Sequence, residues 1–278
     1  INEVLAAKSG MDGAEALSDS DVSVPALHVQ FDRVSFAYPG AADLTLRDIS
    51  LEARRGQTIA IIGSTGSGKS TLVQLIPRLY DVTSGAIRID GKDIRDLPVM
   101  ELRRRIGMIF QDSFLFTGTI RDNIAFGKPD ATQAEIEEAA FLAQAHEFIQ
   151  KLPNSYDTVL GQRGINLSGG QKQRLAIARA LLLKPPILIM DDCASALDLG
   201  TERRLREALH GLMRESITFL VAQRIPSVMD ADVILVLENG MIAGMGTHDE
   251  LMETCAVYRD IYRSQFGERG LRDEREQS

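Results

Sequence analysis

The sequence predicts an α/β domain built on a mostly parallel sheet, with a helical segment inserted around residues 112–182. Three observations carry that expectation. Aliphatic runs of strand length stand at residues 59–62, 187–190 and 233–237. Stretches with helical spacing, notably 130–152 and 169–183, lie between them. The 278 residues, 44% hydrophobic and 25% charged, are also enough to bury a real core, as one large domain or two closely packed lobes.

Residues 10–26 (GMDGAEALSDSDVSVPA) are small, acidic and weakly periodic, and read as a solvated linker. Residues 1–7 read as the end of an upstream helix, and a chain starting at Ile1 as a fragment. Folding is expected from Leu27. His28-Val29-Gln30-Phe31 and Arg33-Val34-Ser35-Phe36 alternate as half-buried strands do, and Pro39-Gly40 closes them. Strands are expected at 58–62 and at 86–89, the second bounded by Gly85 and Gly91. In 130–152 the composition turns to Ala, Glu and Gln, with Ile136, Ala140 and Ala143 on one helical stripe. A helix over 169–183 leads through Pro185-Pro186 into the run 187–190, and a last strand is expected at 233–237, before Gly240. Residues 267–278 are charged and expected to fray.

Composition excludes several function classes. Lys and Arg number 31 against 39 Asp and Glu, a net charge of −8, which argues against a nucleic-acid partner. Cys193 and Cys255 make neither a disulfide framework nor a zinc site and suit a reducing cytoplasm. No stretch approaches the ~18–20 apolar residues of a membrane helix. The acidic residues scattered through the first 27 positions argue against a signal peptide.

The chemistry is concentrated after the run 59–62. Gly63-Ser64-Thr65-Gly66-Ser67-Gly68-Lys69-Ser70-Thr71 satisfies G-x-x-x-x-G-K-[ST] between a predicted strand and a predicted helix. Glycines let the backbone wrap an anion, with successive N–H groups and a helix N-terminus aimed at it. Lys69 would reach the β- and γ-phosphate oxygens, and Ser70 would offer its hydroxyl to Mg²⁺. Asp191, ending the run 187–190, is the expected second Mg²⁺ group.

Leu167-Ser168-Gly169-Gly170-Gln171, together with the phosphate loop and Asp191, resembles the signature of ABC-type ATPases. The resemblance covers residues 27–266. It implies a P-loop NTPase with a RecA-like mixed-sheet core, an N-terminal antiparallel β subdomain and an inserted α-helical subdomain. It also implies a head-to-tail dimer in which the 167–171 segment closes over ATP held by a second chain; Ser168 is a good helix N-cap for such an anion-facing helix. Tyr38 matches the aromatic that stacks on adenine, and Gln111 the glutamine that touches Mg²⁺ and the attacking water. Asp198, in Ser195-Ala196-Leu197-Asp198, matches the loop that contacts the opposite site. Residues 159–164, with Gln162 where Glu is usual, and 118–124 resemble exporter segments. They imply a cytoplasmic domain at the inner face of the plasma membrane, attached to a transmembrane domain of the same or a partner chain.

Two positions depart from the family. Asp192 stands where a catalytic Glu is usual, and Gln223 where His is usual. A carboxylate shorter by one methylene is withdrawn by about 1 Å, which can cost on the order of a hundredfold in rate. Gln can donate a hydrogen bond but carries no positive charge. With an intact phosphate loop and signature, the pattern resembles the degenerate-site half of a heterodimeric exporter, its partner carrying the consensus Glu and His. The alternatives are a homodimer with two slow sites and a clamp that binds MgATP with negligible turnover. A soluble ABC ATPase of DNA repair or translation is disfavoured: neither a coiled-coil insertion nor a tandem cassette is present. Cys193 reads as a packing residue.

Overall fold

The computed structural model describes residues 27–161, 167–193 and 196–275. The expected linker (1–26) and Gln162, Arg163, Gly164 and Ser195 lie outside them.

Two sheets form the frame. The first is antiparallel, ordered β2-β1-β4-β5, from β1 (His28–Phe36), β2 (Leu46–Arg54), β4 (Ser84–Ile89) and β5 (Lys92–Asp93). The two alternating runs expected near the start are one strand. Its register slips between Phe31 and Val34, where Arg33 takes a positive φ of 47°, so one extra residue separates two correctly phased halves.

The second sheet is ordered β12-β11-β3-β10-β9-β6. Its members are β3 (Thr58–Gly63), β6 (Ile106–Ile109), β9 (Ile187–Asp191), β10 (Ile217–Val221), β11 (Val233–Glu238) and β12 (Met241–Gly246). β11, β3, β10, β9 and β6 run parallel; β12 pairs antiparallel with β11, so the strand at 233–237 is not the last. Side chains of the central strands alternate between separate cores, as the two-residue period requires. Ile59 and Ile61 face the antiparallel sheet, α1 (Lys69–Leu75) and α2 (Val99–Arg104), while Ala60 and Ile62 face α8 (His248–Thr254) and α9 (Ala256–Arg275). On β9, Ile187 and Ile189 face the first core, and Leu188 and Met190 the helical lobe.

That lobe contains the short antiparallel pair β7 (Gly118–Thr119) and β8 (Val159–Leu160), with α3 (Ile120–Ile124), α4 (Gln133–Leu142), α5 (His146–Gln150) and α6 (Gly169–Leu181). The stretch 130–152 is therefore two helices. Gln144 breaks it with a φ of 57°, although Ile136, Ala140 and Ala143 are buried together as their stripe requires. Capping boxes at Thr119/Asp122, Thr132/Glu135 and Ser168/Gln171 set three of the starts. α7 (Leu199–Glu215) covers the lobe's other side. The tail expected to fray continues α9 to Arg275, turned at Gly267, whose φ of 68° is outside the helical range. No helix among the described residues is long and apolar enough to cross a membrane.

Candidate functional site

The parallel strands end together on one edge, the usual place for a ligand in such a sheet. Register brings four segments there. Gly63 pairs with Leu237, Val221 with both Ile61 and Asp191, and Ile109 with Met190. The phosphate loop, Gln223, the Asp191-Asp192 pair and Gln111 thus lie at neighbouring strand ends or within two residues of them.

The loop is shaped by its backbone. Gly63 has a φ of 157°, and a Cβ there would lie 2.1 Å from the Leu237 carbonyl oxygen. Gly68, with φ 101°, is the N-cap of α1. Ser64, Thr65 and Gly66 are exposed at the rim, whereas Ser67 is buried, and its hydroxyl has no hydrogen-bond partner. Lys69 folds back over the loop, its Nζ donating to the carbonyls of Gly63 (2.9 Å) and Ser64 (2.8 Å). Burial holds its pKa below the ordinary lysine value, against the pull of Asp192 and Asp191. These features fit a polyphosphate: an orphaned hydroxyl, a half-desolvated ammonium and a turned backbone all gain from an anion.

Ser70 Oγ donates to Asp191 Oδ1 at 2.8 Å, joining the two expected Mg²⁺ groups. Among the described residues no three His, Cys, Asp or Glu side chains converge as a metal cage. One hydroxyl and one carboxylate match an ion that takes its other ligands from phosphates and water. Asp191 is 4% exposed, and burial pushes its pKa up despite the Ser70 hydrogen bond.

Asp192 leaves β9 with a φ of 48°, a conformation Asp tolerates better than most residues. It is buried, and desolvation also raises its pKa. Gln223 Nε2 donates to Asp192 Oδ2 at 2.5 Å, so the two positions expected to depart from the family meet. Gln111 is exposed; its loop is tethered by Gln173 of α6, which bonds Ser113 Oγ and donates to the Phe110 carbonyl (3.3 Å). Tyr38 OH shares a hydrogen bond of 2.9 Å with Thr71 Oγ1, and its ring stands edge-on to Phe36 and Tyr80.

The signature segment lies in the helical lobe. Leu167 is buried, Gly169 and Gly170 open α6, and the lobe's α3 and α4 pack against that helix. Ser168 Oγ accepts from the Gln171 N–H, while Gln171 Oε1 accepts from the Ser168 N–H at 2.9 Å. Asp198 caps α7 by accepting from Thr201 N (2.9 Å) and Thr201 Oγ1 (2.8 Å). Cys193 is buried and its thiol is pushed up to about 12 by desolvation, as a packing residue requires.

Sequence reasoning missed two features. A groove of about 350 Å³ between β6, α6 and the Gln111 loop is lined by Phe110, Phe114, Phe116 and Phe126, all exposed. Phe116 stacks on Phe126 with Arg179 over both rings. The aromatic run 110–116 was a signal for it; Phe126 and Arg179 were not connected to that run by spacing. The second is a side chain from α9, described below.

The model of the family described as ABC transporter matches residues 46–195, more than half of the chain. The chain belongs to that family. It is 53% identical over 234 residues to YgaD of Bacillus subtilis, named for multidrug export as an ATP-binding/permease protein, covering 84% of this chain and 40% of YgaD. It is 54% identical over 242 residues to YfiB of the same organism, an uncharacterized ABC transporter ATP-binding protein, covering 87% and 42%. A solved Atm1-family bacterial ABC exporter with ATP bound superposes with a TM-score of 0.84 at 41% identity, over 87% of this chain and 43% of that one. The chain thus spans about two fifths of the length of these relatives. The P-loop fold, with its antiparallel and mixed sheets, is that of the ABC ATPases.

Proposed function

We propose that this chain is the MgATP-driven motor domain of a membrane ABC exporter, and that its own hydrolytic corner is slow. The observation that carries the second part is the 2.5 Å hydrogen bond between Gln223 and Asp192 beside an intact phosphate cradle. ATP would lie on residues 63–71 with adenine toward Tyr38. Lys69 would exchange its two carbonyl partners for phosphate oxygens, and Ser67 would gain a partner. Mg²⁺, held by Ser70 and Asp191 with Gln111 at the same edge, would neutralise phosphate charge.

Asp192 is the general base of this reading. Its raised pKa favours proton acceptance, but its Oδ2 already accepts from Gln223, and its reach is one methylene short. Gln223 can orient by donating but cannot supply the charge that an imidazolium would. Residues 167–171 and Asp198 belong, on this reading, to the site of a second ABC domain carrying the consensus Glu and His, arranged head to tail. The phenylalanine-lined groove beside Gln111 supports docking of a transmembrane domain there, which would put the chain on the cytoplasmic face of the inner membrane. The domain limits that go with this reading are a linker over 1–26, the ATPase over 27–266 and a tail over 267–278.

The test compares MgATP binding and phosphate release by wild type and by Asp192→Glu with Gln223→His, across protein concentration. Binding with little turnover in wild type, and turnover raised at least tenfold in the double variant with concentration dependence, is expected. Brisk cooperative hydrolysis by wild type would defeat the slow-site reading. Negligible turnover in both, with binding intact, would favour the clamp.

A further inference from the structure

β10 leaves the sheet after Ala222, whose N–H donates to the Ile61 carbonyl at 3.2 Å. The chain beyond that point carries Gln223, and its position must be set by something other than strand pairing. Two backbone groups beyond that point are taken by one side chain 42 residues along the chain. Gln265 Nε2 donates to the Gln223 carbonyl at 2.7 Å, and Gln265 Oε1 accepts from the Ile225 N–H at 2.8 Å. A primary carboxamide is suited to this, since it offers a donor and an acceptor on one planar group.

We propose that Gln265 is a positioning residue: from α9 it fixes the backbone of residues 223–225, and so the reach of the Gln223 side chain to Asp192. The kinetic part of this rests on the roles proposed above for Asp192 and Gln223; the positioning itself rests on geometry. α9 is a firm base, because Tyr258 and Tyr262 are buried in the core that also holds Ile225. The other side of the loop is braced from α7. Glu202 accepts from Ser227 Oγ at 2.5 Å and from Arg206 at 3.3 Å, and Arg224 lies 3.6 Å from its other oxygen. Those contacts hold residues 224 and 227, whereas the two backbone bonds flanking Arg224 come from Gln265. A groove of about 790 Å³, lined by Asp192, Gln223, Arg224, Gln265 and the apolar face of α7, lies beneath the loop. Ile225 and Val228 anchor the far side of the loop in the core, and on the side of the groove the Gln265 hydrogen bonds hold the backbone next to Gln223.

The consequence is a direct line from the C-terminal helix to the hydrolytic corner. A displacement of α9 would free the Gln223 backbone and withdraw its amide from Asp192.

The experiment follows the Gln223 side-chain amide by NMR in the ¹⁵N-labelled chain, assigned by its absence in Gln223→Ala. In wild type its proton is expected away from the ordinary glutamine position because of the short bond to Asp192; Asp192→Ala marks the released position. Gln265→Ala is expected to move the signal to the released position, with MgATP affinity within about twofold and, where turnover is measurable, kcat higher by about three- to tenfold because Asp192 Oδ2 is no longer occupied. Gln265→Glu keeps the acceptor for Ile225 but loses the donor for Gln223; it is expected between the two and serves if the alanine variant does not fold. A Gln223 signal at the wild-type position in the folded Gln265 variants overturns the proposal, as does a loss of MgATP affinity beyond twofold. If wild type shows no turnover, the hydrolytic reading fails, and the amide signal still decides the role of Gln265.

Discussion

The phosphate cradle and the Asp192–Gln223 corner share one sheet edge but are built by opposite means. The cradle is backbone: Gly63 pairs with Leu237 inside the sheet, and the loop's own carbonyls hold Lys69. The corner is two side chains on segments that have left the sheet, one with a left-handed backbone at Asp192 and the other tied by Gln265. Apart from its glycines, a backbone site tolerates changes of side chain, whereas a side-chain site changes with each substitution. On the function proposed above, that asymmetry would let the hydrolytic half change while the binding half is kept.

The largest effect should come from the cradle's one cation. Lys69→Ala is expected to weaken MgATP binding about a hundredfold or more, given about 1.5–3 kcal/mol per hydrogen bond to a charged group and two bonds to replace; calorimetric titration measures it. Binding near the wild-type value would remove the basis for the cradle. A smaller effect concerns the burial of Asp191. Its folded pKa is raised, so the native state binds protons more readily than the unfolded chain. The stability it contributes is present below its unfolded pKa of 3.8 and is lost as pH rises through the folded value. In nucleotide-free, magnesium-free protein, Asp191→Asn is therefore expected to raise the Tm at pH 7 by about 2–4 °C, the shift that ~1 kcal/mol produces in a domain of this size. The gain should vanish as the pH falls toward that of the unfolded carboxyl; an equal gain at both pH values would show that the charge is not its cause. The smallest effect is expected at Asp192. Asp suits a positive φ better than Glu does, so Asp192→Glu should cost about 0.5 kcal/mol in urea unfolding even while it improves reach. A stabilising Asp192→Glu would mean that backbone strain had no part in the choice of Asp.

Much of this was legible in the residues. The phosphate loop, Asp191, Asp192 and the Ser168 cap are local patterns, each defined within a few positions, and the strand-length runs marked the middle of the parallel sheet. Other elements carried weaker local signals. β2 places Ile49, Leu51 and Ala53 inward in strict alternation, but Asp48, with a φ of 50°, breaks the phase before them. β12 is an edge strand (MIAGMG) whose inner face is only half-buried and carries a single large aliphatic residue, Ile242, so its pattern is faint. What no pattern could supply were contacts across long separations. Gln173 meets Ser113 60 residues away, and Gln265 meets Gln223 42 residues away. Such pairs are decided by how finished elements dock, so neither residue type nor spacing announces them.

The capping box at the start of α6 bears on how a second chain would meet this one. Ser168 uses an oxygen lone pair to accept the Gln171 N–H, and its own N–H is taken by Gln171 Oε1. The hydroxyl proton takes no part in the box. An incoming anion can accept that proton while the lone pair keeps its place on the helix, so α6 needs no unwinding to greet it. Arrival would then be a matter of alignment, with the rotor of one hydroxyl as the moving part.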